Sequence, residues 1–141
     1  MEKVIDYAIE TNLQPEELKD LLIRSTLSRR RPIHDMRRMR QMCEHANLIV
    51  TARHHNKLVG VARSLTDFSY CTYLSDLAVD TEFQKQGIGK NLITNTRDAA
   101  KNAMLILLAA PDASEYYPHI GMQNFNDCYL LWGDNQPGRN S

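Results

Sequence analysis

The chain has 141 residues, 43% of them hydrophobic and 24% charged. That suits one globular domain with a core of its own and excludes a disordered polar chain. Lysines and arginines number 17 against 17 acids, so the formal net charge is +0; no overall excess points to nucleic acid or an anionic membrane, although a local basic patch stays open.

The three cysteines, Cys43, Cys71 and Cys128, are scattered and form no C-x-x-C. They make a poor disulfide framework and a poor zinc site, which predicts a reducing compartment and no metal. The opening MEKVIDYAIE carries acids and no apolar stretch of signal-peptide type. The longest apolar run, AMLILLAAP, is too short to span a bilayer. The expected location is therefore the cytoplasm, away from membranes.

In chain order, KVIDYAIE (3–10) reads as a first strand and QPEELKDLLIRS (14–25) as a helix. Pro15 suits its first position, Glu16 and Glu17 suit its positive end, and Leu18, Leu21, Leu22 and Ser25 share a face. LSRRRPIH (27–34) is a loop. DMRRMRQMCEHAN (35–47) is a second helix, capped by Asp35, with Met36, Met39, Cys43 and Ala46 as its apolar stripe. LIVTARH (48–54) and KLVGVARSL (57–65) read as a hairpin turning at HNK, and CTYLSDLAVD (71–80) as a fourth strand.

GIGKNLITNTRDAAKNA (87–103) has the clearest helical spacing, through Ile88, Leu92, Thr96, Ala99 or Ala100, and Ala103. MLILLAA (104–110), apolar on both faces, predicts a central, parallel strand. DASEYYPHIGM (112–122) predicts a short helix ended by Gly121, CYLLWG (128–133) a last strand, and DNQPGRNS (134–141) a frayed tail. The order β-α-α-β-β-β-α-β-α-β makes one α/β domain over 1–141, with a βαβ unit at its centre.

QKQGIG, residues 84–89, stands between the fourth strand and the third helix. A Walker loop needs glycine at Gln84 and Ser or Thr at Asn91, and a dinucleotide fingerprint needs a small residue at Leu92; both fail. What remains is Gln-x-x-Gly-x-Gly at a helix start. There the first N–H groups lack internal partners and the dipole is positive, while Gly87 and Gly89 let an anion approach the backbone and Lys85 and Lys90 add charge. Two readings stay open: a phosphate cradle, or a turn that uses glycine for geometry alone.

The surrounding YLSDLAVDTEFQKQGIGKNLI resembles the signature region of the GNAT superfamily, the acyl-CoA-dependent N-acetyltransferases. That pattern is an apolar strand end, an acidic or polar turn, then Arg or Gln-x-x-Gly-x-Gly or Ala. APDASEYYPHIGM resembles the family's closing element, a tyrosine shortly before a Gly-Phe pair, here Tyr117 before Gly121 and Met122. The resemblance runs from the first strand to about Trp132. Gln84 replaces the commoner arginine and Met122 replaces phenylalanine.

The resemblance implies a mixed central sheet with helices on both faces, and acetyl-CoA as the donor, in a single N-acetyltransferase domain. The strand before the glycine loop would be bulged and splayed from its neighbour, with the pantetheine arm along Leu77, Ala78 and Val79. The diphosphate would meet the backbone of Gln84, Lys85, Gln86, Gly87, Ile88, Gly89 and Lys90; Ser114 and Tyr117 are implied on the donor side as well. A backbone N–H near Leu77 and Ala78 would polarise the thioester carbonyl. The reaction would be direct attack by a neutral primary amine of a small molecule, without a covalent enzyme intermediate. Tyr117 is the candidate acid toward the departing sulfur, or a group that hydrogen-bonds or packs there. Asp76 is the candidate base, acting through a water, or else caps a backbone group or orients the acceptor. Tyr73 falls where other members place a glutamate base, a task a neutral phenol does not suit.

His54 and His55 invite a metal reading, but adjacent histidines in a hairpin turn point apart and no spaced acid or cysteine joins them. Arg29, Arg30, Arg31, Arg37, Arg38 and Arg40 form the one basic cluster. It reads as a solvated face, a contact to the adenosine phosphate of CoA, or an attractor of an acidic acceptor. The rival functions are a non-catalytic acyl-CoA-binding or interaction module on the same fold, and a protein N-terminal or lysine acetyltransferase. A homodimer stays open.

Overall fold

The computed structural model describes residues 3–133; the tail expected at 134–141 lies outside them. The chain forms two compact units, residues 1–108 and 109–141.

The first unit is built on a five-stranded sheet of order β1-β2-β3-β4-β5. Its strands are β1 (Asp6–Ile9), β2 (Leu48–His54), β3 (Lys57–Thr66), β4 (Cys71–Val79) and β5 (Met104–Ile106). The first four are antiparallel neighbours, and β5 joins β4 in parallel. His55 and Asn56, at φ 50° and 67°, make the β2–β3 turn. Two successive left-handed residues are what a tight hairpin requires.

Helices cover both faces. On one lie α1 (Pro15–Arg24) and α2 (Met36–His45), joined through a 3-10 turn at Leu27–Arg30. The expected faces are the buried ones: Leu18, Leu21, Leu22, Met39 and Cys43 pack on Ile49, Leu58, Val61 and Ala78. Asp35 caps α2 by accepting from the Arg38 N–H at 3.1 Å. On the other face lies α3 (Ile88–Ala99), whose Ile88 and Leu92 pack with Val50, Ala52, Val59, Ala62 and Leu74. It ends four residues before the predicted 103, although Ala103 is still buried.

Two strand expectations need correction. MLILLAA is parallel to β4, as predicted, but it is short and lies at the edge of the sheet, not at its centre. Only Met104–Ile106 pair, and those two residues are 45% and 52% exposed. A central position needs a strand on each side, and among the described residues none follows β5. CYLLWG, expected as that strand, forms none within the second unit: residues 128–132 are unpaired and Tyr129 is 91% exposed. Apolar composition alone does not supply a hydrogen-bonding partner. The second unit holds a 3-10 turn at Pro111–Ala113 and the short helix α4 (Tyr116–His119). α4 closes as expected through left-handed Gly121, at φ 98°, with the Met122 N–H on the Tyr117 carbonyl at 2.9 Å.

Gly60 of β3 lets α3 sit close to the sheet. A Cβ there would stand 3.0 Å from Leu92, 3.1 Å from Ile88 and 3.2 Å from Ala52. Gly60→Val should therefore lower the unfolding free energy by about 1–3 kcal/mol through overpacking. Urea unfolding followed by circular dichroism measures it; an unchanged midpoint would contradict the close approach.

Candidate active site

The site begins with a defect in β4. Arg63 of β3 pairs with Asp76 but the next residue, Ser64, pairs with Leu74, so Ser75 is the extra residue of a bulge. A bulge reverses the alternation of a strand. Leu74 points to the α3 side, whereas Ala78, four residues on, points to the α1–α2 side, and Leu77 and Val79 take the α3 side instead.

Two arginines hold this bulge. Arg31, just after the 3-10 turn, donates from Nε to Asp76 at 2.5 Å and from a terminal nitrogen to the Ser75 carbonyl at 2.7 Å. Arg63 donates from Nε to the other Asp76 oxygen at 2.5 Å, to the Ser75 hydroxyl at 3.0 Å and to the Met42 carbonyl at 3.2 Å. Asp76 is fully buried, at 0% exposure. A carboxylate there without partners would carry a desolvation cost of several kcal/mol; with both oxygens engaged it becomes a fixed anchor.

From Leu74, just before the bulge, one edge of β4 is bare among the described residues. β5 pairs only with Cys71, Thr72 and Tyr73, while β3 follows β4 as far as Val79. Among the described residues Leu74–Val79 therefore has strand partners on one side alone, and the other side can accept an extended ligand as an added strand. Leu77, Ala78 and Val79 lie within this stretch.

The bare edge runs directly into the glycine turn. Asp80 fixes the junction: its N–H donates to the Val59 carbonyl at 2.8 Å, and its carboxylate accepts from the Glu82 N–H at 2.9 Å and from Arg24 at 2.5 Å. Burial works against ionisation, but these donors outweigh it and hold the Asp80 carboxyl below the ordinary 3.8. Gln84 ties the loop back by donating to the Val79 carbonyl at 3.0 Å.

Lys85 and Gly87 are left-handed, at φ 62° and 83°. Gly87 is the N-cap of α3 and supplies no side-chain acceptor; the first backbone bond is from Asn91 N–H to Gly87 C=O at 3.0 Å. The N–H groups of Ile88, Gly89 and Lys90 thus have no acceptor within the helix. A Cβ on Gly87 would meet nothing within 4 Å, so the space above the backbone is open. Lys85 and Lys90 are exposed beside it. This donor set fits a diphosphate.

The second unit carries the other two expected residues. Ser114 follows the turn at Pro111–Ala113, and Tyr117 lies in α4 with its ring 5.3 Å from that of Tyr116, edge to face. Burial, and secondarily Tyr116, raises the Tyr117 phenol above the ordinary 10.0. It is a neutral hydrogen-bond donor at physiological pH. Burial pushes the Cys43 thiol up to about 11, which leaves it a poor nucleophile. The His54 and His55 rings are 4.1 Å apart, but no group of three or more metal-ligating side chains forms among the described residues.

Arg31, Arg63 and Ser75 meet at Asp76, a set that does not stand out in the sequence. The available signal was Arg63 itself, a charge inside the apolar run KLVGVARSL, which calls for a buried counter-charge on the next strand.

The family model described as an acetyltransferase (GNAT) domain matches residues 13–128. The chain belongs to the GNAT acetyltransferases. The mixed sheet with helices on both faces is their fold. Among solved structures, a GNAT family protein of Streptococcus pneumoniae superposes with a TM-score of 0.76 at 20% identity, covering 94% of this chain and 100% of its own. An aminoglycoside N-acetyltransferase solved with CoA gives a TM-score of 0.70 at 14% identity, covering 93% of this chain and 95% of its own. An aminoglycoside acetyltransferase from an uncultured soil metagenomic sample gives 0.64 at 25% identity, covering 90% and 96%. No curated protein matches the chain significantly. No helix among the described residues is long and apolar enough to cross a membrane.

Asp76→Ala leaves the buried Arg63 guanidinium and the part-buried Arg31 guanidinium without their shared carboxylate. It should destabilise the fold by about 3–5 kcal/mol, the usual result of removing one partner of a buried ionic pair. Chemical unfolding tests this, and a loss below about 1 kcal/mol would show that the clamp does not hold the strand.

Proposed function

We propose that the chain transfers the acetyl group of acetyl-CoA directly to a primary amine of a small molecule. One observation carries this reading. A strand edge bare over Leu74–Val79 leads straight into an uncapped helix N-terminus with open space at Gly87. The two features suit the two halves of one ligand, an extended amide-bearing arm and a diphosphate. The matched segment 13–128 runs through both units, and in this reading they form one N-acetyltransferase domain.

Acetyl-CoA supplies the activated acetyl group. Leu77, Ala78 and Val79 would bind its arm through backbone hydrogen bonds, and a main-chain N–H near Leu77 and Ala78 would stabilise negative charge developing on the reacting carbonyl. The backbone from Gln84 through Lys90, with Gly87 and Gly89 open to close approach, would bind the diphosphate, and Lys85 and Lys90 would add charge. Ser114 belongs to the same donor-binding set.

Tyr117 would hold a proton against the departing sulfur. A phenol near 10 and a thiol near 8.5 are close enough for a hydrogen bond or transfer that the site assists. The raised Tyr117 value keeps that proton in place until sulfur charge develops. Asp76 enters this reading as the residue that fixes β4, because guanidinium groups engage both its oxygens. The amine proton then leaves to water.

Calorimetry should show saturable binding of acetyl-CoA to the full chain, and thiol release should appear with an amine panel. Tyr117→Phe should lower kcat by roughly 10²–10⁴-fold with little change in donor affinity. Donor binding without turnover on any amine would leave only a binding module, and unchanged kcat in the variant would remove the acid role.

A further inference from the structure

The zero net charge conceals a separation. Residues 29–40 hold 6 of the 17 lysines and arginines and only 1 of the 17 acids. The remainder of the chain is correspondingly acidic. Arg29, Arg30, Arg37, Arg38 and Arg40 are exposed, and among the described residues none of them pairs with a carboxylate. The single acid of the segment, Asp35, is turned to the α2 cap.

The segment is fastened to the site. Arg31 binds Asp76 and the Ser75 carbonyl, so the basic stretch begins at the upper end of the bare β4 edge. The glycine turn lies at the other end. Ser75 and Val79 are four residues apart on β4, roughly 13 Å of extended chain, with the backbone proposed for the reacting carbonyl between them. A diphosphate on the glycine turn would lie at the lower end. The clamp adds to the same field: two guanidinium groups surround one carboxylate, and each Asp76 oxygen already accepts from one of them.

We propose that the acceptor is an amine that also carries a phosphate or carboxylate, recognised by Arg29, Arg30 and Arg37 at the bulge end of β4. This rests on the acetyl-transfer reading above and adds the substrate class. The cluster raises the local concentration of anionic acceptors, disfavours polycationic ones, and contributes charge-assisted hydrogen bonds to the bound anion. Arg31 is excluded from the recognition set because the clamp uses it.

The test uses the full chain and matched pairs: ethanolamine against its phosphate monoester, histamine against histidine, with spermidine as the polycation. Turnover is followed by thiol release. Binding of each acceptor to CoA-saturated protein is followed by calorimetry, which needs no turnover. The anionic member of each pair should be preferred at least about tenfold in kcat/KM or affinity, with spermidine the poorest. The preference should fall by about tenfold in the triple variant Arg29→Ala, Arg30→Ala, Arg37→Ala, and should weaken as salt screens the field. Lys101→Ala, which removes a charge beyond the far end of α3, should leave the ratio within twofold. Circular dichroism of the triple variant checks its fold, and these exposed side chains should leave it intact.

Equal or weaker binding of the anionic members overturns the proposal, as does a preference that survives the triple variant. A loss in the variant seen only as weaker binding of acetyl-CoA, and abolished with acetyl-dephospho-CoA, assigns the arginines to the donor's phosphate and also overturns it. Absence of acetyl-CoA binding in the unaltered chain would instead remove the acetyl-transfer reading itself.

Discussion

The site depends on one buried ionic group, Asp76 held between Arg31 and Arg63. Taking a carboxylate and the Arg63 guanidinium out of water, with Arg31 partly buried beside them, is costly and is offset only by close, well-formed contacts. The same arginines that satisfy Asp76 also bind the carbonyl and hydroxyl of Ser75, the bulged residue. Charge neutralisation and strand irregularity are therefore one event. The bulge resets the alternation of β4, sends Leu77 and Val79 toward α3, and lies at the start of the stretch that has no second strand partner among the described residues. Apolar residues at these positions would close the fold more simply, but they would not specify where the strand turns.

The junction below repeats the device with a different acid. Asp80 is held by Arg24 and by the Glu82 N–H, and it fixes the point at which β4 becomes the glycine turn. Between the two anchored acids lies a short backbone segment whose conformation is set from both ends. A backbone that must present hydrogen-bond donors at fixed places benefits from this, because its groups need not reorganise when a ligand arrives. Arg24 comes from α1 and Arg31 from the loop after it, so one stretch of chain buttresses both ends of the segment.

Much of this was legible in the sequence, for identifiable reasons. α1, α2 and α3 have strong apolar spacing, and the β2–β3 hairpin has two long strands about a two-residue turn. The glycine turn was legible because uncapped helix starts need few residue types. The bulge was expected from resemblance, but its position was not: simple alternation puts Leu74, Asp76 and Ala78 on one face, and only a pairing partner reveals the slip at Ser75. The clamp escaped because its members are 31, 63 and 76, far apart in sequence. The arginine run at 29–31 reads as one solvated cluster, although Arg31 turns inward and its neighbours do not. MLILLAA and CYLLWG misled because an apolar run signals burial, and burial in a sheet depends on pairing that composition does not encode.

Amide hydrogen exchange with and without acetyl-CoA tests the central claim most directly. The account predicts new protection in two connected stretches, Leu74–Val79 and Gln84–Lys90, as the bare strand edge and the free N–H groups of α3 gain acceptors. Binding that leaves both stretches exchanging at their original rates would contradict it.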